Sequence, residues 1–145
     1  MAFVYNNGAK LLNGSYWTTA TIQALIVNDS YTTANRDDVF VSIIANSEAS
    51  GSGYSRGYNS PGRRTLSSLT VIVDNATNSV KYGAADLSFL TVSAGTIGAI
   101  VIFEKKTSDA DSPLIAYIDS ATPQLTNGTS MPVLFENGLC FTITT

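Results

Sequence analysis

Short runs of apolar and β-branched residues recur along the chain, separated by turn-forming residues. Thr21–Val27 (TIQALIV) and Leu69–Val73 (LTVIV) are two such runs, and each predicts a strand. Ser79–Tyr82 is expected to return antiparallel to the second through a turn at Asp74-Asn75. Gly98–Phe103 (GAIVIF) is apolar on both faces, which predicts a central, doubly covered strand. Leu114–Ile118 (LIAYI) follows a polar loop ending in Pro113. Near the C-terminus, Val133-Leu134-Phe135 precedes Asn137-Gly138, and Leu139–Thr144 then alternates apolar and polar residues. Asn-Gly accepts the positive φ angles of a tight turn, so this segment predicts a hairpin. Three further Asn-Gly pairs, at Asn7-Gly8, Asn13-Gly14 and Asn127-Gly128, are turn candidates of the same kind.

Two segments depart from the strand pattern. Over Asp37–Asn46, Val39, Phe40, Ile43 and Ile44 form a helical stripe, with Asp37 and Asp38 near its positive end. Val39, Val41 and Ile43 also alternate as a strand would, but a short helix is the favoured reading. Glu48–Ser67 has no apolar period and contains Gly51, Gly53, Gly57, Pro61 and Gly62 among Tyr54, Tyr58 and three arginines. Loops this long in compact domains tend to carry function. The expected architecture is all-β: a β-sandwich, with a jelly roll as one form it can take, one short helix and a long Gly/Tyr/Arg loop. Residues 1–145 read as a single domain without internal repeats.

Composition narrows the functional classes. Charged residues are 13% of the chain and hydrophobic residues 44%, enough to build a core. There is no histidine, the commonest general base and transition-metal ligand. One cysteine, Cys140, cannot form an intrachain disulfide and reads as a small core residue. A formal charge of −3 gives no general nucleic-acid footprint, and no apolar run is long enough to span a bilayer. The start carries no signal-peptide pattern. Neither membrane association nor direct nucleic-acid contact is expected, and no cofactor, metal or catalytic residue is assigned. Gly51-Ser-Gly-Tyr-Ser-Arg-Gly57 lacks the spacing of a dinucleotide loop, and Asp37/Asp38 and Asp109/Asp111 read as cap or loop residues. A Ser-Lys pair using Lys10, Lys81, Lys105 or Lys106 has no supporting spacing.

The candidate binding residues are aromatic and basic. Arg56, Arg63 and Arg64 fall within nine positions, with Tyr54 and Tyr58 alongside. They form either a solvated loop or a docking surface for an acidic protein, since Arg and Tyr are enriched at interfaces; DNA contact is the weakest reading. Residues 1–17 hold Phe3, Tyr5, Tyr16 and Trp17. They read either as an ordinary first strand and hairpin or as an N-terminal arm that reaches a partner. Trp17 and the tyrosines can also stack on sugar rings, which keeps a carbohydrate-binding module in view.

The order of several weak motifs carries a resemblance. "ALIVNDSYT" (Ala24–Thr32) leads into "DDVFVSIIANSEASGSGYSRG" (Asp37–Gly57), then "LTVIVDNATNSVKYGAADLSF" (Leu69–Phe89) and "GAIVIFEKKTSDADSPLIAYID" (Gly98–Asp119), and "FENGLCFTIT" (Phe135–Thr144) closes the series. Roughly from residue 20 onward, the chain resembles a family of small virion proteins of tailed bacteriophages. Phe89 stands where that family tends to have Trp, and the Gly57–Thr65 loop with Arg63-Arg64 is longer than its glycine turn. The resemblance implies a structural role in the virion: a head decoration (cement) protein on the capsid surface, made in the host cytoplasm. It would bind the major capsid protein and assemble as a homo-oligomer, with a trimer favoured. A neck, tail or fibre-base position is the alternative within the same particle. An enzyme is the last reading.

Overall fold

A computed structural model describes residues 2–29, 31, 34–89 and 92–144, and of residues 120–125 the backbone alone. Ten strands and three short helices run in the order β1 (Phe3–Val4), α1 (Asn6–Leu11), α2 (Tyr16–Thr19), β2 (Ile22–Asn28), α3 (Val41–Ile44), β3 (Arg64–Thr65), β4 (Thr70–Asp74), β5 (Ser79–Gly83), β6 (Leu87–Phe89), β7 (Thr96–Glu104), β8 (Leu114–Leu125), β9 (Met131–Val133) and β10 (Leu139–Thr144). Every pairing is antiparallel. The strands form a five-stranded sheet ordered β1-β8-β7-β2-β3, a three-stranded sheet β10-β5-β4 and a two-stranded sheet β6-β9. The all-β, sandwich-like expectation holds. The pairings differ from a jelly roll, whose eight strands fall in two sheets.

Apolar residues on both faces of β7 explain its central place. Ile100 and Ile102 face one core with Ile22, Ala24 and Ile26 of β2. Across that core lie Tyr82 of β5, Phe89 of β6 and Phe135, with Val71, Val80, Phe141 and Ile143 packed against it. Val101 and Phe103 face the other core, with Leu25 and Val27 of β2, Val41 and Ile44 of α3, and Phe3 and Tyr5. The central sheet is therefore covered on both sides. The β4–β5 hairpin has the expected register, Val73 opposite Val80 around the turn, and Asp74 Oδ1 accepts from the Ala76 and Thr77 amides inside it.

Four expectations need correction. The Phe135–Leu139 turn does not join a hairpin: β9 pairs with β6 and β10 pairs with β5. Asn137 and Gly138 do take positive φ (55° and 70°), so the local turn chemistry was right while the pairing was decided by long-range packing. Asn7-Gly8 is helical rather than a turn, and Gly8 seats α1 on β8, where an added Cβ would lie 2.7 Å from the Ile115 Cα. The described residues form three short α-helices where one is expected; α3 falls inside the predicted segment and a 3-10 turn at Ala45–Ser47 follows it.

The fourth correction concerns the N-terminal segment: residues 2–17 include a first strand, β1, but form no hairpin and no projecting arm. Phe3 pairs opposite Tyr117 in β1, stacks on its ring at 5.2 Å and meets Tyr5 edge-on at 5.0 Å. Trp17 is 1% exposed, meets the rings of Tyr82 and Phe141 edge-on, and donates its indole N–H to the Gly83 carbonyl at 3.0 Å. These large aromatic surfaces gain more by leaving water against the sheets than by remaining in a solvated tail.

Candidate functional site

The long loop is held by a buried ionic network. Glu48 follows the 3-10 turn and makes a bridge to Val27 of β2, which places its carboxylate under the loop. Arg63 Nε donates to Glu48 Oε1 at 2.9 Å, and Arg63 Nη2 donates to Oε2 at 2.7 Å. The same guanidinium donates to Asp109 Oδ1 at 2.6 Å and to Oδ2 at 3.0 Å. Glu48 Oε1 also accepts from the Tyr54 hydroxyl at 2.9 Å, and Oε2 accepts from the Gly57 amide at 3.1 Å. The Tyr54 oxygen in turn accepts from the Ile26 amide at 3.2 Å. Arg63 lies 5.3 Å from the centre of the Phe103 ring. One planar cation thus ties the loop to β2, to β7 and to the segment before β8.

Burial disfavours the charge on Arg63, but its hydrogen bonds to the Glu48 and Asp109 carboxylates outweigh it and hold the pKa above the ordinary guanidinium value. Burial beside Glu48 likewise pushes the Tyr54 hydroxyl upward. Arg63 and Tyr54 are 6% and 1% exposed, so both leave the set of partner-facing candidates. Their role is to shape the loop.

What the loop presents outward is different. Arg56 is exposed and makes a long contact, 3.4 Å, to the Asn46 carbonyl. Tyr58 donates its hydroxyl to the Lys106 carbonyl, and the Lys105 ammonium lies 5.5 Å from the centre of its ring. Lys106 is exposed and pairs with Glu104 at 3.2 Å, while Tyr16 donates to the other oxygen of Glu104. The result is a basic, tyrosine-bearing tip built from two loops. Arg64, exposed on β3, borders a neighbouring cleft of about 370 Å³ between Gly53, Pro61 and Val92.

The eight sequence candidates therefore separate. Arg56 and Arg64 are exposed, and Tyr58 is half-buried against Lys105 and Lys106. Tyr54 and Arg63 lie beneath them in the network. Phe3 and Tyr5 belong to the core around Tyr117, and Trp17 to the core under Tyr82, so these three are corrected from partner contacts to core residues. Lys105, Lys106, Glu48 and Asp109 went unrecognised as part of the site. Asp109 reads in the sequence as a loop residue and Lys105 and Lys106 as unsupported Ser-Lys partners, and nothing in their spacing links them to the arginines.

A second cleft of about 530 Å³ lies between Gly98 of β7, Asp119 of β8 and the Thr126–Leu134 segment. Among the described residues, no group of three or more His, Cys, Asp or Glu is gathered to hold a metal ion. No helix of the described residues is long and apolar enough to cross a membrane. No protein-family model, no curated protein and no solved structure matches this chain.

Proposed function

We propose that this chain is a structural protein of a tailed-phage virion, a decoration protein that docks its basic tip on an acidic patch of the major capsid protein shell. The observation that carries the reading is the tip itself. In a chain of net charge −3, Lys105 and Lys106 lie against Tyr58, two residues from exposed Arg56, on loops that Arg63 ties together through Glu48 and Asp109. A positive patch on an otherwise acidic body orients the protein toward negative surfaces. Tyr58 supplies a preordered aromatic contact at low entropic cost. The ordered motifs of residues 20–145 point to the same class of particle.

Co-sedimentation of the purified chain with shells assembled from the major capsid protein tests the reading. The expected result is saturable binding that weakens with salt and falls about tenfold or more in the double variant Arg56→Glu/Lys106→Glu. Absence of binding, or binding that the double variant leaves unchanged, overturns it.

A further inference from the structure

The strand edges of this fold are not treated alike. β1 and β3 are two residues each, and β3 carries exposed Arg64. β9 contains Pro132, β6 is three residues long, and β10 is interrupted by a register shift between Leu139 and Phe141. Short length, charge, proline and bulges are the devices that keep sheet edges from pairing with other chains. Of these, β4 has only the charge of Asp74 at its end, already paired with Lys81 of β5. It is five residues long and regular against β5, with no lysine, proline or bulge, and it ends its sheet. Ile72 and Val73 are 58% and 66% exposed, among the most exposed large apolar side chains described.

The sequence of β4 is also close to its own reverse. Thr-Val-Ile-Val-Asp, paired antiparallel with a second copy about Ile72, sets Ile72 against Ile72, Val71 against Val73 twice, and Thr70 against Asp74 twice. The hydroxyl of Thr70 then faces a carboxylate that can accept from it. The two Asp74 carboxylates lie at opposite ends of the pair, roughly 13 Å apart along the strands, beyond the range of strong repulsion in physiological salt. Asp74 already accepts from Lys81 on its own β5 at 2.9 Å, so its charge is balanced within each copy.

We infer that β4 is the two-fold interface of a homodimer, in which two three-stranded sheets join edge to edge as β10-β5-β4-β4-β5-β10. An isologous contact of this kind closes on itself and stops at two copies. Each copy contributes the β4 backbone groups that point away from β5, and sets Ile72 against Ile72 and Val73 against Val71. The inference stands on the strand edge alone and does not depend on where the chain sits in a particle.

Sedimentation velocity on the full chain, from micromolar to millimolar concentration, reads the outcome. The wild type is expected to dimerise, and Ile72→Lys to sediment as a folded monomer, because two lysines would face each other at the symmetry axis. Ile72→Glu mixed with Ile72→Lys is expected to restore the dimer, since residue 72 meets its own equivalent only in this register. Far-ultraviolet circular dichroism confirms that both variants fold, and residue 72 is exposed enough to accept them. A wild type that stays monomeric or forms trimers overturns the inference. So does a dimer indifferent to Ile72→Lys, or a mixture that fails to reassociate.

Discussion

Arg63 and Glu48, fifteen residues apart in sequence, meet in a two-pronged ion pair at 2.9 and 2.7 Å with both side chains almost wholly out of water. Glu48 also accepts from the Gly57 amide, between Arg56 and Tyr58, so the contact pins the loop that carries them. Removing Arg63 leaves the Glu48 carboxylate buried without a cation and releases Asp109. Arg63→Ala is expected to cost about 3–5 kcal/mol of folding stability. Arg63→Lys should recover little, because an ammonium cannot serve two carboxylates bidentately. Arg56→Ala and Arg64→Ala, at exposed positions, should stay within about 0.5 kcal/mol of wild type. Urea unfolding of the four proteins checks the contrast.

Trp17 tests whether the N-terminal segment is part of the body. Its ring sits against Tyr82 and Phe141, and its N–H is used by Gly83. Trp17→Ala is expected to cost about 3–5 kcal/mol, as large-to-small changes in cores do. A detachable arm would give almost no change in the melting temperature.

Gly8 gives a prediction with an unusual sign. Replacing a helical glycine by alanine ordinarily stabilises by about 1 kcal/mol. Here the new methyl would meet the Ile115 Cα and carbonyl oxygen at 2.7 Å, backbone atoms that cannot swing aside. Gly8→Ala is therefore expected to lower the melting temperature, measured by thermal unfolding.

Alkaline pH should weaken the fold. Burial pushes the Cys140 thiol from 9.0 up to about 12, and burial next to Asp38 and Tyr117 pushes Tyr31 from 10.0 up to about 12. The folded state therefore holds these protons more tightly than the unfolded chain. Their contribution is fully present below pH 9 and is lost as pH rises toward 12. Melting temperature against pH should be level up to about 9 and fall beyond it. Cys140 should react with a thiol reagent at pH 8 far more slowly in the folded protein than in urea.

Much of the sheet was legible in the sequence because its signals are local or two-sided. Gly98–Phe103 is apolar at alternate positions on both faces and lies at the centre of β7, and Asp74-Asn75 turns the β4–β5 hairpin. What escaped depended on distant partners. Asn6–Leu11 (NNGAKL) has weak helix propensity and is helical because Gly8 fits against Ile115. β10 finds β5, nearly sixty residues earlier, although a turn and a short apolar run stand right beside it. Three arginines looked equivalent in one loop, yet only Arg63 has Glu48 and Asp109 waiting beneath it. Neither carboxylate is marked by spacing, so the division into one buried pin and two exposed cations emerges only from the fold.

The copy number of this chain relative to the major capsid protein in purified virions, by quantitative mass spectrometry, tests the central claim most directly. A decoration protein spread over the shell is expected at a ratio near one, or at a simple symmetric fraction such as about one third. A ratio near about one per hundred, as a neck or tail position with few symmetric copies would give, contradicts the claim, as does absence from the particle.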